Sequence, residues 1–539
     1  MPIRVLRLLG GIAPRGLLAV IAMVGFGMAS AQSATRATLV HTTEGPVRGV
    51  VDAGIAQYLG IPYAAPPTGQ RRWTLPAAPA RHAQTLVADH FREACPQVVR
   101  FNLTEASDAE DCLFLNIAVP SARATDGRPR AVLLWIHGGA YVGGGANLYR
   151  IDHLARQGDL VVVSINYRLG ALGFLAHPQL RGAASGAFGI ADQQAALRWV
   201  HRNIARFGGD PKRVTIAGES AGAGSVCALL ATPERVAGLY AGAIIQSAGC
   251  GNPWMSVLEA EEVGRRFAQA VGCTAGESLE CLRGVALAQV LAVQTQMAQT
   301  GARVWVPAVG SAVLPREPTA AVKAGLIRVP VINGGTRDEM RLYLGYEVVA
   351  GHPYTAAEYA GRLEQSYGSQ TPAVLAQYPL SEYSSPSTAV GTALSDYGPM
   401  VPLSNCTYLR FGRELRAHTA VYEYEFADRG APPVMDDPGI ELGAVHSAEL
   451  PYFFPGFSNR SDWQGPALAP QSQHLSDDLI ALWAGFARTG VPQAAHRPTW
   501  PRFTGPGDVY RFDAGSLGTF DADSSHRCGF WRSLYPQAL

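Results

Sequence analysis

Charged side chains are scarce in this 539-residue chain. Asp, Glu, Lys and Arg together make up 16% of it, against about a quarter in a typical globular protein. The two signs nearly cancel, with 44 Lys+Arg and 43 Asp+Glu. There is therefore no basic stripe to attract nucleic acid and no acidic tail. No Cys-x-x-Cys pair occurs, which excludes a zinc ribbon or a thioredoxin-like redox motif. No His, Asp and Glu cluster has metal-ligand spacing, so neither a metal-dependent hydrolase nor any other cofactor is indicated. Internal repeats and low-complexity tracts are missing. Pro and Gly are scattered rather than gathered into a linker, and beyond the N-terminus no apolar run is long enough to span a bilayer.

What the chain does have is apolar residues, 47% of the total, enough for a large core. Its first residues read as an export signal. Arg4, Arg7 and Arg15 precede an uncharged apolar run, Gly16 to Met28, and Ala29-Ser30-Ala31 has the small-x-small form a signal peptidase accepts. The run is well short of the ~20 residues a membrane span needs. We therefore expect a signal peptide over 1–31, cleavage after Ala31, no membrane anchor, and one catalytic domain over 32–539, secreted to the periplasm or beyond. Eight Cys in an exported chain point to disulfides, with connectivity left open by spacing alone.

Short apolar runs alternate with helical stretches. Ala131–His137, Leu160–Asn166, Arg213–Ala217, Gly242–Gln246, Val329–Asn333 and Thr419–Phe426 read as buried parallel strands. Gln193–Phe207 carries apolar residues at helical spacing. The alternation predicts an α/β fold with a large, mostly parallel sheet. Two further helical regions, Glu259–Thr300 and Tyr354–Ser395, read as insertions capping one end of it.

Gly218-Glu219-Ser220-Ala221-Gly222 lies between the strand-like RVTIA and a helix of small and apolar residues. That is the strand–turn–helix setting of a nucleophile elbow, with Ser220 at its tip and a helix N-terminus beneath. A serine needs a base to attack and donors for the oxyanion it creates. His137-Gly138-Gly139-Ala140 follows an apolar strand. Its glycines suit an oxyanion loop, and we expect the backbone N–H groups of Gly138, Gly139 and Ala221 to form the hole. An ordinary glycine turn is the plainer alternative.

These pieces, together with several others in order, resemble the type B carboxylesterases, the family that includes the cholinesterases, and in particular its bacterial secreted members. The other matching segments are Gly60-Ile61-Pro62-Tyr63-Ala64, Glu110-Asp111-Cys112-Leu113-Phe114-Leu115-Asn116, Asn166-Tyr167-Arg168-Leu169-Gly170 and Phe207-Gly208-Gly209-Asp210-Pro211. The resemblance implies the α/β-hydrolase fold and hydrolysis of small carboxylic esters through an acyl-enzyme. It implies Glu339, in Asp338-Glu339-Met340, as the acid, with Met340 where the family usually has Gly. It implies His446, in His446-Ser447-Ala448-Glu449-Leu450-Pro451-Tyr452, as the base, so that activity rises with pH across the imidazole range.

Glu219 then either adds a negative field beside the nucleophile or merely fills the variable position of the elbow. Ser247 matches a supporting serine. The same resemblance implies disulfides Cys95–Cys112, Cys273–Cys281 and Cys406–Cys528. Cys227 and Cys250 have no counterparts in it. Arg72 with Glu110, and Arg168 with Asp192, match structural ion pairs. Trp305 falls where the family lines its acyl pocket, though core packing is an equal reading. Residues 96–111 contain no Trp, which argues against choline esters, whose quaternary ammonium would seek one. Ala187 replaces a usual Asn.

Overall fold

The structure, a computed structural model, describes residues 36–99, 105–124, 126–182, 184–273, 279–299, 303–399 and 403–539. The expected signal segment 1–31 lies outside them. Arg130–Ile136, Val161–Ile165, Gly242–Gln246, Val331–Thr336 and Val421–Phe426 are buried at every position, as strands covered on both faces must be. Among the described residues they join one 13-stranded sheet. Its order is Arg36–His41, Pro46–Asp52, Ile55–Pro62, Phe114–Pro120, Val161–Ile165, Arg130–Ile136, Gly209–Glu219, Gly242–Gln246, Val331–Thr336, Val421–Phe426, Val509–Phe512 and Gly518–Phe520, with Leu86–Val87 beside Pro46–Asp52.

Pairing is parallel from Val161–Ile165 through Val509–Phe512. It is antiparallel towards both edges. Gly209–Glu219, which leads to Ser220, is therefore a central parallel strand. The antiparallel edge strands were not read from the sequence. Pro46–Asp52, for one, mixes buried with exposed positions and lacks a continuous apolar run.

Helices cover both faces. Phe188–Asn203 presents Trp199 and Val200 to one side of the core, and a short 3-10 turn, Ile204–Phe207, ends it earlier than the expected Gln193–Phe207. Pro470–Thr489 covers the other face, where Trp483 packs against Tyr424 and Trp500 at 5.4 and 5.5 Å between ring centres. Truncating such a ring to Ala typically costs about 3–5 kcal/mol.

The two expected insertions are helical: Val257–Ala270, Leu279–Gly284 and Leu287–Ala298 in the first, Tyr359–Tyr367, Thr371–Gln377 and Pro386–Asp396 in the second. Residues Thr35–Leu539 cluster as one compact unit. No helix among the described residues is long and apolar enough to cross a membrane.

All eight cysteines are paired. Cys95–Cys112, Cys273–Cys281 and Cys406–Cys528 occur as the resemblance implied, and Cys227–Cys250 is a fourth bridge. Arg168 grips the buried Asp192 through two nitrogens at 2.8 and 2.7 Å. Arg72 Nε reaches Glu110 at 2.6 Å, and its other arm donates to the Val285 carbonyl at 2.6 Å, tying the N-terminal loop to the first insertion.

Candidate active site

Ser220 stands at the junction of the strand Gly209–Glu219 and the helix Ala221–Leu230 with φ 57° and ψ −122°. Non-glycine residues rarely adopt that conformation, and its cost must be met by the surroundings. Here the surroundings are glycines packed against backbone. A Cβ on Gly222 would lie 2.0 Å from the Ile136 carbonyl oxygen, and one on Gly218 would lie 2.5 Å from the carbonyl carbon of Gly222. Only glycine at both positions lets strand, turn and helix approach this closely. The Ser220 N–H donates to the Gln246 carbonyl at 2.9 Å, fixing the tip to the next strand.

The structure brings Ser220, His446 and Glu339 into one line. His446 Nε2 is 2.9 Å from Ser220 Oγ, and its Nδ1 is 2.7 Å from Glu339 Oε2. The other Glu339 oxygen accepts from the Thr336 N–H and from the Tyr408 hydroxyl, both at 3.0 Å. Tyr408, on the helix Asn405–Leu415, carried no readable signal in the sequence, because it meets Glu339 only through the fold. The Ser247 hydroxyl is buried beside Glu339 and helps to stabilise its carboxylate, although it falls outside direct hydrogen-bond geometry. Burial opposes ionisation of Glu339, but His446 and these donors outweigh it and lower its pKa.

Glu219 lies nearer the reacting atoms than a filler position requires. Its Oε1 is 3.2 Å from His446 Nε2 and accepts from the Ser447 hydroxyl at 2.7 Å. Burial disfavours a charged His446, yet Glu219 and Glu339 together raise its pKa to about 9, above the imidazole range expected from sequence. Burial raises the pKa of Glu219 itself. It also pushes Glu449 to about 8, with the neighbouring carboxylates Glu219 and Glu339 adding to the effect. Gln246 Nε2 donates to Glu449 at 3.3 Å.

The glycine loop lies directly against the serine. A Cβ on Gly138 would be 2.8 Å from Glu219 Oε2 and 3.1 Å from Ser220 Cβ. Gly139 (φ 106°) and Ala140 (φ 54°) turn in the left-handed region. Neither donates its N–H to an acceptor among the described residues, and neither does Ala221 at the start of its helix. The Gly138 backbone lies near the phenol of the buried Tyr149. His137 braces the loop. Burial lowers its pKa to about 4, its Nδ1 meets the Gly138 carbonyl at 2.8 Å, and its ring stacks on Tyr167 at 4.5 Å.

Trp305 packs as core. It is buried, donates from Nε1 to the Gln294 carbonyl at 3.0 Å and meets the Phe267 ring edge-on at 5.3 Å. An aromatic neighbour of His446 is Tyr343, whose ring centre is 5.9 Å from the imidazole. Phe101, the one aromatic of segment 96–111, lies outside the described residues.

A central parallel sheet carrying a half-buried serine on a strained strand–helix turn, in line with a histidine and a carboxylate, defines an α/β-hydrolase. Comparison with known proteins narrows this class. The sequence model of the carboxylesterase family matches residues 36–531, and the chain belongs to that family. It is 33% identical over 492 residues to fumonisin B1 esterase of Sphingopyxis macrogoltabida, covering 88% of this chain and 86% of that one. It is 31% identical to para-nitrobenzyl esterase of Bacillus subtilis (strain 168), covering 86% and 92%. Among solved structures, a thermophilic PNB esterase superimposes with a TM-score of 0.76 at 28% identity, over 92% of this chain and 99% of that one. The protein is thus a carboxylic ester hydrolase.

Proposed function

We propose that ester hydrolysis runs through Ser220, His446 and Glu339, with an acyl group carried on Ser220 between two half-reactions. The observation that carries this reading is the unbroken chain Ser220 Oγ, His446 Nε2, His446 Nδ1, Glu339 Oε2, with links of 2.9 and 2.7 Å. His446 takes the Ser220 proton as Oγ attacks the ester carbonyl, then gives it to the departing alcohol. Glu339 holds the Nδ1–H tautomer and stabilises the imidazolium. In the second half-reaction His446 activates water against the acyl-enzyme.

The oxyanion is received by Gly139 and Ala221, as expected from sequence, and by Ala140, whose N–H is likewise free of protein acceptors. Gly138, also expected as a donor, lies against Glu219 and Ser220. Its contribution is room, because any side chain there would strike Glu219 and Ser220.

The substrate class is a small-molecule carboxylic ester. Four disulfides support an oxidising compartment outside the cytoplasm for residues 32–539, read as a single catalytic domain behind a leader ending near Ala31.

The test is hydrolysis of p-nitrophenyl esters, acetate through laurate, by the wild type and by Ser220→Ala. The variant should lose at least ~10³-fold in kcat while folding normally. Equal turnover by both proteins would overturn the assignment.

A further inference from the structure

Cys227–Cys250 is the bridge that neither composition nor the family resemblance assigned, and its position is informative. Cys227 lies on the helix Ala221–Leu230, which begins directly after Ser220. Cys250 lies three residues after Ser247, on the segment leaving the strand Gly242–Gln246. That segment touches both halves of the site. The Gln246 carbonyl accepts the Ser220 N–H at 2.9 Å, and the Ser247 N–H donates to Gly334 at 2.7 Å, on the strand that leads to Glu339. Ser247 itself is held at φ 59°, with its hydroxyl buried beside the Glu339 carboxylate.

Cys250 is flanked by Gly249 and Gly251, residues with wide backbone freedom. Other ties of the segment include a turn bond, Asn252 N–H to the Gly249 carbonyl at 3.0 Å, and a 3.4 Å contact from Arg410 to the Gly251 carbonyl. A left-handed serine at the mouth of a glycine-rich segment needs its conformation imposed from outside. The bridge meets this need from the nucleophile's own helix, across a Cα–Cα distance of 5.8 Å that suits a disulfide.

We propose that the Cys227–Cys250 disulfide is a positioning element of the active site, locking the Ser247 segment against Glu339 and so fixing the carboxylate that orients His446. The inference rests on the functional reading above and deepens it. Cys227 and Cys250 are both buried, touch no substrate and act through Ser247. A bridge that only restricts the unfolded chain would leave the folded site unchanged when removed. A positioning bridge would not.

The experiment compares Cys227→Ala/Cys250→Ala with the wild type at a temperature well below either melting point. The groups that set the charge of His446 are Glu219, Glu339 and Glu449, with the Tyr343 phenol nearby. Loosening Glu339 alone should lower kcat roughly 10- to 100-fold. KM should stay within about twofold, since no substrate contact is lost. The acid limb of the pH–rate profile should move to lower pH as Glu339 supports the imidazolium less.

Ser247→Ala should move the same limb in the same direction, whereas Cys273→Ala/Cys281→Ala, which opens the bridge of the first insertion, should not. If the alanine pair does not fold, Cys227→Val/Cys250→Ala refills the volume and is read the same way. A lowered melting temperature with unchanged kcat and unchanged acid limb overturns the inference while leaving the triad intact. An active Ser220→Ala would overturn the triad itself.

Discussion

Replacing Glu219 by Gln removes one charge from the site and almost no volume. In the wild type its Oε1 lies 3.2 Å from His446 Nε2, the nitrogen that faces Ser220. At an effective dielectric constant of 20, two unit charges at that distance attract by about 5 kcal/mol. Burial opposes the charge of Glu219 and raises its pKa, so that figure is an upper bound on the net effect. An opposite charge this close ordinarily moves a pKa by roughly 1 to 3 pH units, or about 1.4 to 4 kcal/mol.

The sign is fixed by the role of His446. In the proposed mechanism only the neutral ring accepts the Ser220 proton, so activity should rise as pH passes its pKa, which the neighbouring carboxylates raise to about 9. Without Glu219 the imidazolium is less favoured, and the acid limb of kcat/KM should shift down by roughly 1 to 3 pH units. The plateau should fall as well, about tenfold for each 1.4 kcal/mol by which Glu219 had favoured the imidazolium of the transition state. A pH-stat assay on ethyl butyrate from pH 5 to 10 reads both changes without interference from a chromophore. An unmoved acid limb would refute the electrostatic role and return Glu219 to a filler of the elbow.

Two further outcomes follow from packing and from charge. Gly222→Ala places a methyl group 2.0 Å from the Ile136 carbonyl oxygen. It should cost about 1–3 kcal/mol or prevent folding, and a variant with wild-type melting temperature and turnover would contradict the close-packed elbow. His526 is buried between Asp396, at 2.7 Å, and Glu425. Burial opposes its charge, but the two carboxylates raise its pKa from 6.5 to about 10. Its stabilisation is therefore complete below pH 6.5, declines above it and is lost as pH rises through about 10. His526→Gln should have a lower melting temperature at pH 6 and a flatter profile from pH 7 to 10, and parallel profiles for the two proteins would refute the linkage.

The parallel half of the sheet was legible because its strands are continuous apolar runs. Gly242–Gln246 falls where it was read, and Val421–Phe426 lies within its expected range. Ser220, Glu339 and His446 were singled out by short segments around each, with Glu339 chosen over Asp338 only through the family resemblance, and the structure brings the three side chains together. The antiparallel edge strands were not legible, since half-exposed strands carry no such run.

Contacts between distant residues were also hidden. Tyr408 meets Glu339 across 69 residues, a contact that no local pattern announces. Trp305 shows the converse. Its place in the sequence was equally suited to pocket or core, and a bond to the Gln294 carbonyl and the edge of Phe267 hold it in the core.

Ser220 and His446 are separated by 226 residues of chain. At about 5–20 residues per second, a ribosome needs roughly 10 to 45 seconds to travel from one codon to the other. Throughout that interval the nascent chain carries the proposed nucleophile without the proposed base, and a lone serine hydroxyl is a weak nucleophile. The closing bridge waits longer still, since Cys406 must find a partner 122 residues downstream, and that bridge anchors the helix from which Tyr408 reaches Glu339. Reactivity is thereby deferred until nearly the whole polypeptide exists, and a product truncated before His446 would be chemically silent whatever its amount.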